Sequence, residues 1–140
     1  MYSKQQKGTQ SGRRCRGATP WTGTEPDGSA QGNGDLYVIN CCRTAIGSFG
    51  GALKNTPAVD MGAVVVKEAL NRANVKPEQV DELVFGCILT AGLGQNVARQ
   101  VSIKAGLPYS IPAYTVNMVC GSGMKSLIEG ARSILSGDAE

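Results

Sequence analysis

Cys120 stands at the end of an apolar run, Ile111–Val119, and is followed by Gly121-Ser122-Gly123. Beyond it, apolar residues recur at helical spacing: Met124, Leu127, Ile128, Ala131, Ile134 and Leu135. The pattern predicts a strand-to-helix turn with Cys120 at or beside the helix N-terminus. Free N–H groups and the helix dipole at such an end favour a thiolate over a thiol. A thiolate is the nucleophile of covalent acyl transfer. The N–H groups of Cys120, Gly121, Ser122 and Gly123 are expected to point where a developing oxyanion would sit, Cys120 and Gly121 foremost, beside the plainer reading of steric accommodation at a turn. The flanking glycines let another chain or a thin substrate approach the backbone. On local spacing alone, the competing reading is a buried structural cysteine.

Three strands and three helices are needed to position this turn. Asp35–Cys42 reads as a first buried strand, Glu82–Thr90 as a second and Ile111–Val119 as a third. Between the first two, Asp60 is a candidate N-cap. Behind it Met61, Val65, Ala69 and Ala73 form an apolar stripe, widened by Val66 and Leu70, and Asn74 is the expected left-handed stop. Pro77–Val80 reads as one helical turn. Gln95–Ala105 reads as a second helix with Val97, Val101 and Ile103 inward, closed by Gly106, and the third helix ends near Gly137. The order β-α-β-α-β-α, with apolar strands lacking clean alternation, predicts an α/β fold with a parallel sheet covered on both faces. Three parallel strands are an unfinished layer, so residues 35–140 read as a truncated domain with apolar surface left exposed.

Composition narrows the function further. Residues 1–34 carry five basic and two acidic side chains, whereas residues 35–140 carry nine of each. The surplus of +3 therefore lies in the N-terminal stretch, and the globular part has no basic face to offer nucleic acid. Residues 1–34 are rich in Gly, Ser, Thr and Gln and read as a disordered extension. Their early basic half is a weak transit-peptide signal, and a cytoplasmic location is expected. Five cysteines, an odd number, without a secretory signal read as free thiols in a reducing compartment. Cys41, Cys42 and Cys87 fall inside expected strands and read as small core residues, while Cys15 lies in the extension. No C-x-x-C and no histidine are present, so no zinc site is expected. No apolar run reaches the roughly 18–20 residues of a membrane span. Gly92-Leu93-Gly94-Gln95-Asn96 lacks the ending of a phosphate loop and reads as a tight turn into a helix.

Four blocks in order carry a resemblance to a known family: Arg43–Gly51, Gly92–Gln100, Ala105–Pro108 and Asn117–Gly123. At these spacings residues 36–140 resemble the first part of the thiolases, the acetyl-CoA acetyltransferases. Family members often carry Pro where Ala45 stands here. The resemblance implies a thiolase-like fold whose sheet continues with two more strands and against which a second, similar half packs. It implies Claisen condensation of two acetyl-CoA molecules, or cleavage of acetoacetyl-CoA by CoA, through an acyl group on Cys120. It implies no cofactor beyond acetyl-CoA and CoA as substrates, and a homo-oligomeric parent. Gln95, Asn96 and Arg99 would have a structural or interface role, and Arg43 none in catalysis.

The family draws a histidine, an asparagine and a second cysteine from its C-terminal half, and these 140 residues hold no histidine. The isolated chain is therefore expected to be inactive. Two alternatives stand beside this reading. One is a non-catalytic protein that associates through the edge of Ile111–Val119. The other is a relative of the ketoacyl synthases, which also place a cysteine at a helix start.

Overall fold

A computed structural model of the chain describes residues 35–140 and, as backbone, residues 2–4. The elements are β1 (Tyr2–Lys4), β2 (Leu36–Val38), α1 (Ala58–Ala73), a 3-10 turn (Pro77–Gln79), β3 (Leu83–Gly86), α2 (Val97–Ala105), β4 (Ala113–Val116) and α3 (Ser122–Ser136). The fold is α/β. β3 and β4 run parallel, in register from Leu83 opposite Ala113 to Gly86 opposite Val116, with α2 as the crossover between them.

Both faces of this pair are covered, as side-chain alternation along a strand allows. Leu83, Phe85 and Cys87 pack on a core built by Val66 and Leu70 of α1, Val97, Val101 and Ala105 of α2, and Val80, Leu107 and Ile111 from the connections. Gly86 faces the opposite way, against α3. Burial of Val97 and Val101 is complete or nearly so, and each such side chain contributes roughly 1.5–3 kcal/mol.

The helices end where expected. Asn74, Gly106 and Gly137 adopt left-handed conformations and return their N–H groups to carbonyls of the last turn. Their starts and faces differ in part. α1 begins after Pro57, and Asp60 lies within its first turn rather than capping it. The preset φ of proline, −59° here, starts the helix early, and Asp60 then pairs with Lys104 of α2. The buried face of α1 centres on Gly62, Ala63, Val66 and Leu70, while Met61, Val65, Ala69 and Ala73 are only half-buried. Gly62 decides this rotation: a Cβ there would lie 2.8 Å from Val101 Cγ2, so α2 sits directly on it. α2 starts at Val97 with Asn96 as N-cap, two residues later than the spacing predicts, and Ile103 is half-buried.

The expected three-stranded parallel sheet is not what forms. β2 pairs antiparallel with β1, Tyr2 opposite Val38 and Lys4 opposite Leu36, and has no ladder with β3. All three expected strands are shorter than their apolar runs. Apolar character marks burial, whereas a ladder needs a partner backbone in register. Tyr2–Lys4 falls in the stretch read as disordered; the rest of that stretch, with Cys15, lies outside the described residues.

Cys41 and Cys42 follow β2 instead of lying inside it. Cys41 is exposed, and Cys42 donates to the Val65 carbonyl at 3.1 Å. Cys87 follows β3, half-buried against the core.

α3 is the least covered helix. Ser122 and Ile134 are buried, whereas Met124, Leu127, Ile128 and Leu135 are exposed.

Truncating Val101 to alanine opens a cavity at the α1–α2–β3 junction and is expected to lower stability by about 2 kcal/mol. Val64→Ala, on the exposed side of α1, is expected to stay within about 0.5 kcal/mol of the parent. Urea titration of both variants measures the difference.

Candidate functional site

The segment between β4 and α3 is an elbow with a strained residue at its tip. Val119 has φ +48°, a left-handed conformation that β-branched residues rarely adopt. Cys120 follows it, exposed, and Gly121 caps the start of α3. The chain thus turns from the carboxyl end of β4 into a helix within five residues, Asn117 to Gly121, with the thiol at the turn.

Two side chains brace this elbow. Asn117 donates through Nδ2 to the Ile88 carbonyl at 2.8 Å and accepts the Val119 N–H on Oδ1 at 3.2 Å. Ser122, 3% exposed, accepts the Met118 N–H on Oγ at 2.9 Å and donates to the Val119 carbonyl at 2.6 Å. Beneath them Gly86 lets the first turn of α3 lie on the β3 backbone. A Cβ on Gly86 would sit 2.6 Å from both the carbonyl carbon and the oxygen of Ser122.

Of the N–H groups expected to support an oxyanion, that of Ser122 donates to the Val119 carbonyl at 3.1 Å, and that of Gly121 is engaged too, because it donates to the Met118 carbonyl at 2.9 Å. The tight turn that exposes the thiol uses this donor itself. The N–H of Cys120 remains as the candidate. Among the described residues the Cys120 thiol makes no hydrogen bond. Met118, Val119 and Met124, all more than half exposed, give the elbow an apolar rim.

Charge enters one helical turn further on. Lys125 pairs with Glu129, which Arg132 also approaches at 2.8 Å. The hydrogen bond from Lys125 holds the Glu129 carboxyl below the usual carboxylate range, and the nearby positive charges act in the same direction. Tyr114 on β4 is raised above the usual phenol range, first by burial and then by the negative charges of Glu82 and Glu129.

The other sequence candidates serve the strand, not the thiol. Asn96 caps α2 by accepting the Arg99 N–H at 3.1 Å and donates to the Ala113 carbonyl at 2.8 Å. Arg99 donates to the Ile111 carbonyl at 2.6 Å. Both anchor the start of β4, whose far end carries Cys120. The Gln95 carbonyl accepts from Gln100 at 2.9 Å, and Arg43 is exposed. An open cleft of about 510 Å³ lies between Ile39–Cys42, β3 and α3; Cys120 does not line it. Among the described residues no three His, Cys, Asp or Glu side chains gather into a metal-binding group.

The roles of Asn117, Ser122 and Gly86 do not follow from the motif spacing. A glycine inside a strand pattern does signal close backbone approach. An asparagine just before a turn signals a side-chain-to-backbone bond. Nothing local marks Val119 for a left-handed conformation.

Residues 36–140 match the model of the thiolase N-terminal domain. An acetyl-CoA acetyltransferase of Cupriavidus necator is 57% identical over 106 residues, which are 76% of this chain and 27% of that protein. The cytosolic acetyl-CoA acetyltransferase of Mus musculus is 51% identical over 108 residues, 77% of this chain and 27% of that protein. The crystal structure of a thiolase from Ascaris suum in complex with coenzyme A superposes with a TM-score of 0.71 at 44% identity, over 72% of this chain and 26% of that one. This chain therefore spans about a quarter of the length of these relatives.

Adding a methyl group at Gly86 must push α3 off β3. Gly86→Ala is expected to cost about 1–3 kcal/mol and to change the alkylation rate of Cys120. Gly123→Ala, whose Cβ meets nothing within 4 Å, is expected to lose no stability. Thermal unfolding, with mass spectrometry of the iodoacetamide-treated Cys120 peptide, reads both.

Proposed function

Because this chain belongs to the thiolase family, through the N-terminal domain matched over residues 36–140, we propose that it is the nucleophile-bearing N-terminal part of an acetyl-CoA C-acetyltransferase. The observation that carries the reading is the position of Cys120: exposed, at the tip of a braced elbow, immediately before a helix. An acyl-accepting thiol needs access from solvent and a fixed direction of approach.

In the proposed reaction the Cys120 thiolate attacks the carbonyl carbon of acetyl-CoA. The oxyanion that forms is supported by the Cys120 N–H and by donors from outside this chain. The bond to CoA sulfur breaks, CoA leaves as a thiol after gaining a proton, and the acetyl group remains as a thioester on Cys120. A base takes a proton from the methyl group of a second acetyl-CoA. The carbanion attacks the Cys120 thioester, the carbon–sulfur bond to the protein breaks, and acetoacetyl-CoA is released. Thiolytic cleavage is the same sequence reversed.

These steps need bases that the chain, without a histidine, does not bring. They are assigned to the C-terminal portion of the longer relatives. The 140-residue chain by itself is accordingly inactive in this reading. Homo-oligomerisation and a cytoplasmic location belong to the same proposal. They are supported by the family and by the cytosolic mouse relative. Among the described residues no helix is long and apolar enough to cross a membrane.

The test is a chimera in which residues 36–140 replace the matching segment of the Cupriavidus necator relative. It is expected to form acetoacetyl-CoA from acetyl-CoA, and Cys120→Ser is expected to lower kcat by roughly 10³-fold or more, as loss of a nucleophile does. The isolated chain is expected to show no turnover. A chimera that keeps its activity after Cys120→Ser would remove the assignment.

A further inference from the structure

The left-handed conformation of Val119 is unfavourable for a β-branched side chain and persists only where the surroundings over-determine it. The surroundings here are few and specific. The N–H of Val119 is held by Asn117, its carbonyl accepts from the Ser122 hydroxyl and, at 3.1 Å, from the Ser122 N–H, and the Met118 N–H donates back to that same hydroxyl. Asn117 is itself tied to the Ile88 carbonyl beyond the end of β3. Ser122 is buried and both of its hydrogen-bond functions are used within the elbow. Each brace therefore joins the tip of the turn to another part of the fold, one to the segment that follows β3 and the other to the first turn of α3.

We propose that Ser122 and Asn117 are positioning residues for Cys120: together they hold Val119 left-handed, and that conformation aims the thiol out of the elbow. If Val119 returned to an ordinary negative φ, the Cα–Cβ bond of the next residue would be carried to another direction, and the sulfur with it. The inference rests on the reading of Cys120 as the acyl-accepting thiol, but the geometry it concerns can be measured without acyl transfer.

The experiment exploits the fact that glycine adopts a left-handed φ without steric cost. In the full chain, the alkylation rate of Cys120 by iodoacetamide is measured peptide by peptide, with Cys87 as the internal reference. The variants are Ser122→Ala, Asn117→Ala, Val119→Gly and the two double variants with Val119→Gly. Each brace variant alone is expected to slow Cys120 at least fivefold relative to Cys87. In the Val119→Gly background the same substitution is expected to change the rate less than twofold, because glycine no longer needs the brace. Equal losses in both backgrounds, or no loss at all, would overturn the proposal, since a space-filling or general stabilising role is indifferent to residue 119. Asn117 is exposed, so its variant keeps the test decisive if Ser122→Ala does not fold.

The two readings fail separately. An inactive chimera with intact coupling at residue 119 would remove the acyl-transfer reading and leave the brace. An active chimera without coupling would do the reverse. In an active chimera, Ser122→Ala is expected to lower kcat with little change in KM, and Val119→Gly to restore it.

Discussion

The first turn of α3 rests on the backbone of β3 at Gly86, with no room for a side chain between them. This contact sets the distance from the parallel pair to the helix, and so the height at which the elbow must turn. A larger residue at position 86 would separate the layers and leave the chain from Val116 to Ser122 with a different span to cover. With the layers this close, five residues make the connection, and one of them turns left-handed. Val119 is that residue. The strained residue, the two braces and the exposed thiol all fall within this one short span.

The rest of the molecule supplies the rigidity that this arrangement needs. β4 is held in register by β3; Asn96 and Arg99 tie its start to the beginning of α2, and the Ala98 N–H of α2 donates to Thr115 within the strand. α2 in turn packs on α1 around Val101 and Gly62. The elbow is thus anchored through β4 to the best-buried part of the chain. The opposite side is thinner. α3 keeps Ser122 and Ile134 inside but leaves most of its large apolar side chains in contact with solvent.

Much of this was readable from residue order. The strand-to-helix switch at Cys120, the stops at Asn74, Gly106 and Gly137 and the crossover between β3 and β4 follow from apolar period and from residues that tolerate a left-handed backbone. These are local properties, and local chemistry decides them. The expected third parallel strand fails for a different reason. Leu36–Val38 is apolar enough to be a strand, but nothing in its own residues names its partner, and it pairs with Tyr2–Lys4 instead of β3. The stripe on α1 was displaced for a similar reason: Gly62 counts for nothing in an apolar tally, yet it is where α2 comes closest.

By itself, the sequence determined the order of strands and helices over residues 35–140, where its helices end, that the thiol of Cys120 lies between a strand and a helix, and, through four blocks in order, the family. It could do so because period, capping and motif order are properties of neighbouring residues. The tertiary structure decided the rest: the antiparallel partner of β2, the face α1 buries, the engagement of the Gly121 N–H by Met118, and the left-handed turn at Val119. Each of these depends on the distance between backbones far apart in sequence, at 62 and 101 or at 86 and 122, and that distance exists only once the layers have packed.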